Sequence, residues 1–516
     1  MPSMPRCASR RQTMRTLHAK DNGPATDAAV VRDLSGAACV ERTTVALDEA
    51  RAAGLAGGFV RLRNDSALDQ ARAVDHAIRD EVAQPNRRLL GAILAHKDMF
   101  FRAGELSECG SRILAGHRPS QTATVLSRLD AAGAVDLGAL HMAEFAMSPT
   151  GFNAHLGHGR NAWSPDHVSG GSSSGSGVAV ARGLAFAALG SDTGGSVRIP
   201  AAVNGVTGIK PTQHAVSTHG VMPLSPSLDC VGVLARTAAD AAAVLETIWG
   251  PDANDPHCLV SQARDFTRAL AQPLSDRDVV AVPEFDASAL ISDEIRAAVA
   301  GVKQALEAYG VTIRQVPLPD LREAGALATL MLGAEAASIH GPWLRERRDA
   351  YGEQVLRRLE RGLLYPATRY VDALRLRAGY SQSFVERYLA GAQALLLPTL
   401  PYAVPTIAET LDGDADAIER RFGDFSYWTR GINYLGLPAV ALPAGRTQNG
   451  LPTGVQLIGR AWREAALLRL AHQLQQHTGW HLPSVNRVGP LDRAAMPAGL
   501  DTAGSPVSQS SMERME

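Results

Sequence analysis

Lysine is nearly absent from this chain. Of 51 basic residues in 516, only four are lysine: Lys20, Lys97, Lys210 and Lys303. Arginine serves wherever a plain positive charge suffices. A guanidinium cannot be deprotonated in a protein and an amine can, so each surviving lysine is a candidate for work that arginine cannot do. Net charge is missing too. The formal value of −1 leaves no electrostatic footprint for nucleic acid or an anionic membrane surface. No stretch approaches the ~18 apolar residues of a membrane span. The opening residues MPSMPRCASRRQTMRTLHAK carry arginine but no apolar core, which argues against a secretory signal. The five cysteines (Cys7, Cys39, Cys109, Cys230 and Cys258) form no C-x-x-C pair and are odd in number. Neither a disulfide framework nor a zinc site is expected, and a reducing, cytoplasmic setting fits. His155 and His158 stand three apart, but the glycines around them argue against a rigid helix, so no metal is expected.

What is present is ample core material, 45% hydrophobic residues over one large domain's length. Residues 1–24 and the Pro/Ser/Gly-rich 487–516 read as disordered tails around a domain spanning 25–486. Helical periodicity marks Ser35–Ala53 and Asp65–Glu81, with Ser35 and Asp65 as N-caps and a short strand-like run Gly58–Leu62 between them. Leu89–Ala95 is a continuous apolar run that ends abruptly at His96-Lys97-Asp98, like a buried strand meeting its functional end. Similar apolar-to-polar transitions follow Ala185–Leu189, Ala394–Leu397, Val440–Leu442 and Val455–Ile458. Helical segments such as Ser292–Tyr309 and Glu464–His477 fall between them, and 322–393 is long, helix-like and rich in Arg and Leu. Strands interleaved with helices predict an α/β fold around a largely buried sheet.

The stretch SGGSSSGSG, residues 169–177, has a linker's composition. Its context does not suit a linker. It runs straight into the apolar VAVARGLAFAALG and then into a second cluster, Asp192-Thr193-Gly194-Gly195-Ser196. Successive glycines let backbone N–H groups converge into a nest for an anion or a developing oxyanion. Three chemistries use such serines. Gly171-Ser172-Ser173-Ser174-Gly175 formally matches the G-x-S-x-G elbow of α/β-hydrolases, but the turn-like Ser164–Val168 precedes it where a strand is required. A phosphate-binding loop would need G-x-x-x-x-G-K-[ST], which is not here. A serine nucleophile served by a lysine base agrees best with the lysine inventory, and Lys97 is placed for it.

The segments GGSSSGSGVAVARGLAFAALGSDTGGSVRIPAAVNGVTGIKPT, AHKDMF, LGLPAVALPAG and LPTGVQLIGR together closely resemble the amidase signature family of serine hydrolases, over roughly Asp27 to Leu482. The resemblance implies a single large domain with a mixed central sheet covered by helices on both faces. It implies Ser196 as nucleophile, Ser172 as bridging serine after a cis Gly171–Ser172 peptide, and Lys97 as base. It further implies an oxyanion hole from the backbone N–H groups of Thr193, Gly194, Gly195 and Ser196, with Asp192 and Arg198 bracing the loop. No cofactor and no metal are called for. Lys210, in GIKPT, reads as a structural cation. One departure stands out: Gly138-Ala139-Leu140-His141-Met142 occupies the place where the family often has G-K-T-N-M.

Activity is therefore expected on a small-molecule amide through an acyl-enzyme. The first reading is a stand-alone amide hydrolase, and a homodimer is compatible with it. The second is the glutamine-hydrolysing subunit of a tRNA-dependent amidotransferase, and carbamate or ester hydrolysis uses the same chemistry. A catalytically dead relative is disfavoured because Lys97, Ser172 and Ser196 are all present. Met142–Phe152, Leu327–Trp343 and Phe425–Tyr434 are candidate pocket segments, and their aromatics serve equally well as packing.

Overall fold

A computed structural model of the chain describes residues 38–80, 89–259 and 264–481. The expected tails at 1–24 and 487–516, the Ser35 cap, Glu81 and Cys7 lie outside these residues. Among the described residues eleven strands join in one sheet: β1 (Phe59–Leu62), β2 (Ile93–Lys97), β3 (Val135–Leu140), β4 (Ala187–Ser191), β5 (Thr207–Lys210), β6 (Val231–Ala235), β7 (Val279–Pro283), β8 (Thr312–Val316), β9 (Ala394–Pro398), β10 (Ala439–Arg446) and β11 (Pro452–Ile458). Their spatial order is β1-β3-β2-β4-β6-β5-β10-β11-β9-β7-β8. The runs β3-β2-β4 and β9-β7-β8 are parallel, and every other neighbouring pair is antiparallel. The sheet is mixed, as the resemblance implies.

Both faces are covered. Along β4, Ala187 and Leu189 join one apolar cluster while Ala188 joins another, which is the alternation of a pleated strand buried on two sides. The Asp293–Ala308 helix shows how a covering helix is specified. Asp293 and Glu294 suit its N-terminal turn, and Ile295, Val299, Val302 and Leu306 recur at helical spacing and are buried. It packs against β8 to β11, each of those side chains contributing about 1.5–3 kcal/mol of burial. The long segment after Arg322 is three helices: Arg322–Glu346, Glu353–Leu363 and Ala367–Tyr388. Ala328, Met331 and Ala373 share a core cluster with Leu395 and Leu397 of β9, so two of these helices cover one side of the sheet.

Boundaries shift in informative ways. Asp65 lies inside the first turn of the Asn64–Arg79 helix, whose N-cap is Arg63. Leu89 to Ala92 form a turn, so β2 is only Ile93–Lys97 and Lys97 is its last residue. The Gly/Ser run is the larger surprise, because its second half is helical, Ser174–Ala181. Glycine is a poor helix former. Here close approach overrides propensity: a Cβ on Gly175 would stand 2.4 Å from the Gly58 carbonyl oxygen and 2.5 Å from the His141 nitrogen. Only glycine fits at position 175, so tightly do these backbones approach.

Candidate active site

Register brings the first two groups together. Parallel β2 and β4 pair Leu94 with Ala187 and His96 with Leu189, so their carboxyl ends, Lys97 and Ser191, emerge side by side. Lys97 Nζ lies 2.7 Å from Ser191 Oγ and 2.7 Å from Ser172 Oγ. Ser172 is presented by the loop before the Ser174–Ala181 helix, and the Gly171–Ser172 peptide is cis. Its carbonyl accepts from the Ala143 N–H at 3.2 Å, Ser173 N–H donates to the Ser196 carbonyl at 3.2 Å, and Ser173 Oγ donates to the Ser191 carbonyl at 3.2 Å. The two Gly/Ser clusters that flank the apolar segment are thus stitched together.

Lys97 is fully buried and its ammonium carries no ion pair among the described residues. Burial pushes it down to about 7, against the opposing pull of Asp229 and Asp192. Ser191 Oγ donates to Met99 Sδ at 3.1 Å, so Lys97 is the donor in its contact with Ser191. A neutral amine then has its lone pair available for the Ser172 hydroxyl. Asp229 is itself raised to about 6 by burial, although Thr193 Oγ1 donates to it at 2.5 Å and the Leu224 and Ser225 N–H groups at 2.9 and 3.0 Å. Ser191 and Asp229 were not among the residues singled out from the sequence. Ser191 bears the same mark as Lys97, a polar residue closing an apolar strand. Asp229 bears none.

Ser196 follows the second cluster and is 9% exposed, whereas Lys97 and Ser172 are at 0%, so the Ser196 side of the trio is the one solvent can reach. Its loop is held by Asp192 and Arg198, both fully buried and paired at 3.0 Å. Asp192 also accepts from the N–H groups of Gly195 at 2.8 Å and Val197 at 3.2 Å and from Asn433 Nδ2 at 2.9 Å. Burial alone would raise this carboxyl, but the Arg198 guanidinium holds it well below the usual carboxylate range. Arg198 reaches on to Gln456 Oε1, Asn433 Oδ1 and the Thr429 carbonyl. The sequence gives no local sign of these partners, which lie more than 200 residues away.

Gly195 differs from expectation. Its N–H is taken by Asp192, so it is not free to serve an oxyanion, while the N–H groups of Thr193, Gly194 and Ser196 have no partner among the described residues. Gly195 must nonetheless be glycine. Its φ is +127°, and a Cβ would stand 2.2 Å from Thr429 Oγ1. Gly194 is open on its Cβ side, with Arg430 Cγ nearest at 3.6 Å.

The other lysines and histidines fall elsewhere. Lys210 is fully buried, donates to the Pro211 carbonyl at 3.0 Å and contacts Cys230 Sγ at 3.8 Å; burial lowers its pKa. Lys303 faces Glu307 on its own helix, and Lys20 lies outside the described residues. His155 bonds Glu144 at 3.0 Å, and His158 packs on Phe152. His141, in the segment that departs from the family pattern, is buried, bonds Ser174 Oγ at 2.7 Å and is pushed down to about 4 by burial. The pocket segments divide. Phe145 packs on His340 and Trp343, and Trp428 is fully buried, as core residues are. Phe152 lines a cavity of about 430 Å³ with Arg357, Arg358, Leu411, Glu419 and Phe422.

A family model described as Amidase matches residues 41–468. This chain belongs to the amidase family. One component of the glutamyl-tRNA(Gln) amidotransferase of Aromatoleum aromaticum is 36% identical over 490 residues, covering 89% of this chain and 98% of that protein. Among solved structures, that of a vestigial protein complex described as revealing the evolutionary origins of an s-triazine catabolic enzyme is 31% identical with a TM-score of 0.77, covering 86% of this chain and 96% of the other. Another, called simply an amidase, is 30% identical with a TM-score of 0.75, covering 86% and 97%. The family is one of hydrolases acting on C–N bonds. Among the described residues, no helix of this member is long and apolar enough to cross a membrane.

Proposed function

We propose that this amidase-family chain hydrolyses a primary amide through an acyl-enzyme on Ser196, with Ser172 and Lys97 as its proton path. The observation that carries the reading is Lys97. A fully buried amine, lowered to about 7, stands 2.7 Å from the Ser172 hydroxyl. Its free pKa near 10.4 would make neutralisation at pH 7 cost about 4.6 kcal/mol, and burial removes most of that cost.

In this reading Ser196 Oγ bonds to the amide carbon as its proton passes to Ser172 and the Ser172 proton passes to Lys97 Nζ. Negative charge develops on the former carbonyl oxygen and meets the unengaged N–H groups of Thr193, Gly194 and Ser196. The C–N bond then breaks, and the nitrogen leaves with the proton returned from Lys97 through Ser172. Water adds to the ester carbon as its proton passes through Ser172 to Lys97, and the Ser196–acyl bond breaks as that proton returns by the same path to Ser196 Oγ, which frees the carboxylic acid. The products are that acid and ammonia. Asp192 and Arg198 hold the loop and take no part in bond making.

A second, narrower reading makes glutamine the amide and a partner protein the receiver of ammonia. The name of the curated relative, an amidotransferase component matched over nearly its whole length, favours this reading over a stand-alone hydrolase. The deciding experiment measures ammonia release from glutamine and from a panel of aryl and aliphatic amides. It uses the purified chain alone and then with candidate partner proteins. Glutaminase activity that needs the partner supports the second reading, hydrolysis of simple amides by the single chain supports the first, and no ammonia from any amide in either form contradicts both.

A further inference from the structure

His141 lies in the segment where this chain departs from its family's pattern, and the mechanism gives it no task. It follows β3 directly, one residue beyond Leu140, which pairs in register with Lys97. This short extension of the strand holds the turn that carries Ser172. The Ala143 N–H donates to the Ser172 carbonyl at 3.2 Å, and the Gly175 N–H donates to the His141 carbonyl at 2.9 Å. Between these two backbone ties, at Ser174, the His141 ring supplies a third.

The residue is 1% exposed and its ring makes a bond at each nitrogen. Nε2 stands 3.0 Å from the Gly157 carbonyl oxygen, which can only accept, so Nε2 carries the proton. Nδ1 is left as an acceptor, and Ser174 Oγ donates to it at 2.7 Å in preference to the His141 carbonyl at 3.3 Å. The other tautomer would set a lone pair against the Gly157 carbonyl. Burial keeps the imidazole neutral, pushed down to about 4. The bond to Gly157 anchors the far side of the turn. Residues 151–159 fold back on themselves, the Gly159 N–H donating to the Gly151 carbonyl at 3.0 Å. They press on the same turn: a Cβ on Gly159 would stand 2.9 Å from Ser174 Cβ, and one on Gly151 would stand 3.2 Å from it. The turn is thus gripped between the β3 extension and this loop, and one ring bonds across all three.

We infer that His141 is a positioning residue for the proton path: its ring, bonded to Ser174 and Gly157, fixes the turn that keeps the Ser172 hydroxyl in reach of Lys97. The inference rests on the amidase reading and adds to it a residue that touches neither the substrate nor the reacting atoms. It holds whichever amide is the substrate, because the proton path is common to all of them.

The test compares the best amide of the panel with the p-nitrophenyl ester of the same acid, in wild type, His141→Leu, His141→Asn and Ser174→Ala. Rates are taken per active site, counted by end-point labelling of Ser196 with a fluorophosphonate, which removes any loss of folded enzyme. Amide hydrolysis needs the proton carried to Lys97 and back to the nitrogen, and the activated ester depends on that return far less. In His141→Leu amide kcat is expected to fall about 100-fold with little change in KM, the size associated with a misplacement of about 1 Å. Ester kcat is expected to fall much less. His141→Asn keeps a short acceptor on the Ser174 side and is expected to recover part of the amide rate. Ser174→Ala removes the same bond with a smaller change of volume and should show the same amide-selective fall, so it decides the matter where His141→Leu does not fold. Equal falls on amide and ester, full amide turnover in Ser174→Ala, or His141→Asn no better than His141→Leu overturns the inference while leaving the amidase reading intact. A wild-type chain that hydrolyses no amide and whose Ser196 resists the label overturns the amidase reading and the inference with it.

Discussion

In the proposed mechanism Lys97 has to meet two opposing demands, and its burial serves both. A base must be neutral to accept the Ser172 proton, yet basic enough to hold it until the nitrogen departs. Removal from water supplies the first and two hydroxyl contacts at 2.7 Å preserve the second. Lys97→Arg keeps the charge and approximate length but installs a guanidinium that stays protonated. Amide kcat/KM is expected to fall by about 10²–10⁴-fold, the range associated with a lost general base. Activated esters, whose leaving groups need no proton, should suffer less. In that mechanism only the neutral amine works, so wild-type kcat/KM is expected to rise with pH through about 7 and level off above it. Asp229, raised to about 6, faces the same site, so the limb reports the coupled network and not one group. In Lys97→Arg the limb should vanish. Retention of most amidase activity in that variant would mean that the positive charge alone mattered.

At the level of elements, the site is a meeting of strand ends and a glycine-rich turn. Gly195 marks how closely they are fitted, with φ at +127° and Thr429 Oγ1 where a Cβ would go. Gly195→Ala is expected to cost about 1–3 kcal/mol, from overpacking and a strained backbone, and to lower Tm. Gly194→Ala, whose nearest obstacle is Arg430 Cγ at 3.6 Å, should keep its Tm. Equal melting temperatures for the two would show that the loop is looser than described. Some of this was legible in the sequence. Lys97 stood out because an apolar run ends there in polar residues and because lysine is so rare, whereas Ser196 was reached through the family resemblance alone. The helix inside the Gly/Ser run was not legible, since glycine's local preference opposes it and only the backbones of Gly58 and His141 explain it. Strands β3 and β5 to β8 were also missed. Strand β8 is half exposed and pairs only with β7 among the described strands, so it shows no long apolar run. Asn433 and Gln456, which hold Arg198, come from distant parts of the chain and leave no local pattern.

Across the whole molecule, the sheet runs unbroken from β1 to β8 through the strands that carry Lys97, Ser191 and Gln456. Lys97 and Ser191 therefore stand on one continuous scaffold, and Arg198 ties the Ser196 loop to β11 through Gln456 at 2.9 Å. The central claim is that the chain becomes covalently acylated at Ser196 during turnover. Intact-protein mass spectrometry after rapid acid quench, with an activated ester whose acyl group is slowly hydrolysed from the enzyme, tests this most directly. One acyl group per chain is expected, mapped by peptide analysis to Ser196 and absent from Ser196→Ala. An adduct on Ser173, as a hydrolase elbow would give, or turnover without any adduct and undiminished in Ser196→Ala, would contradict the account.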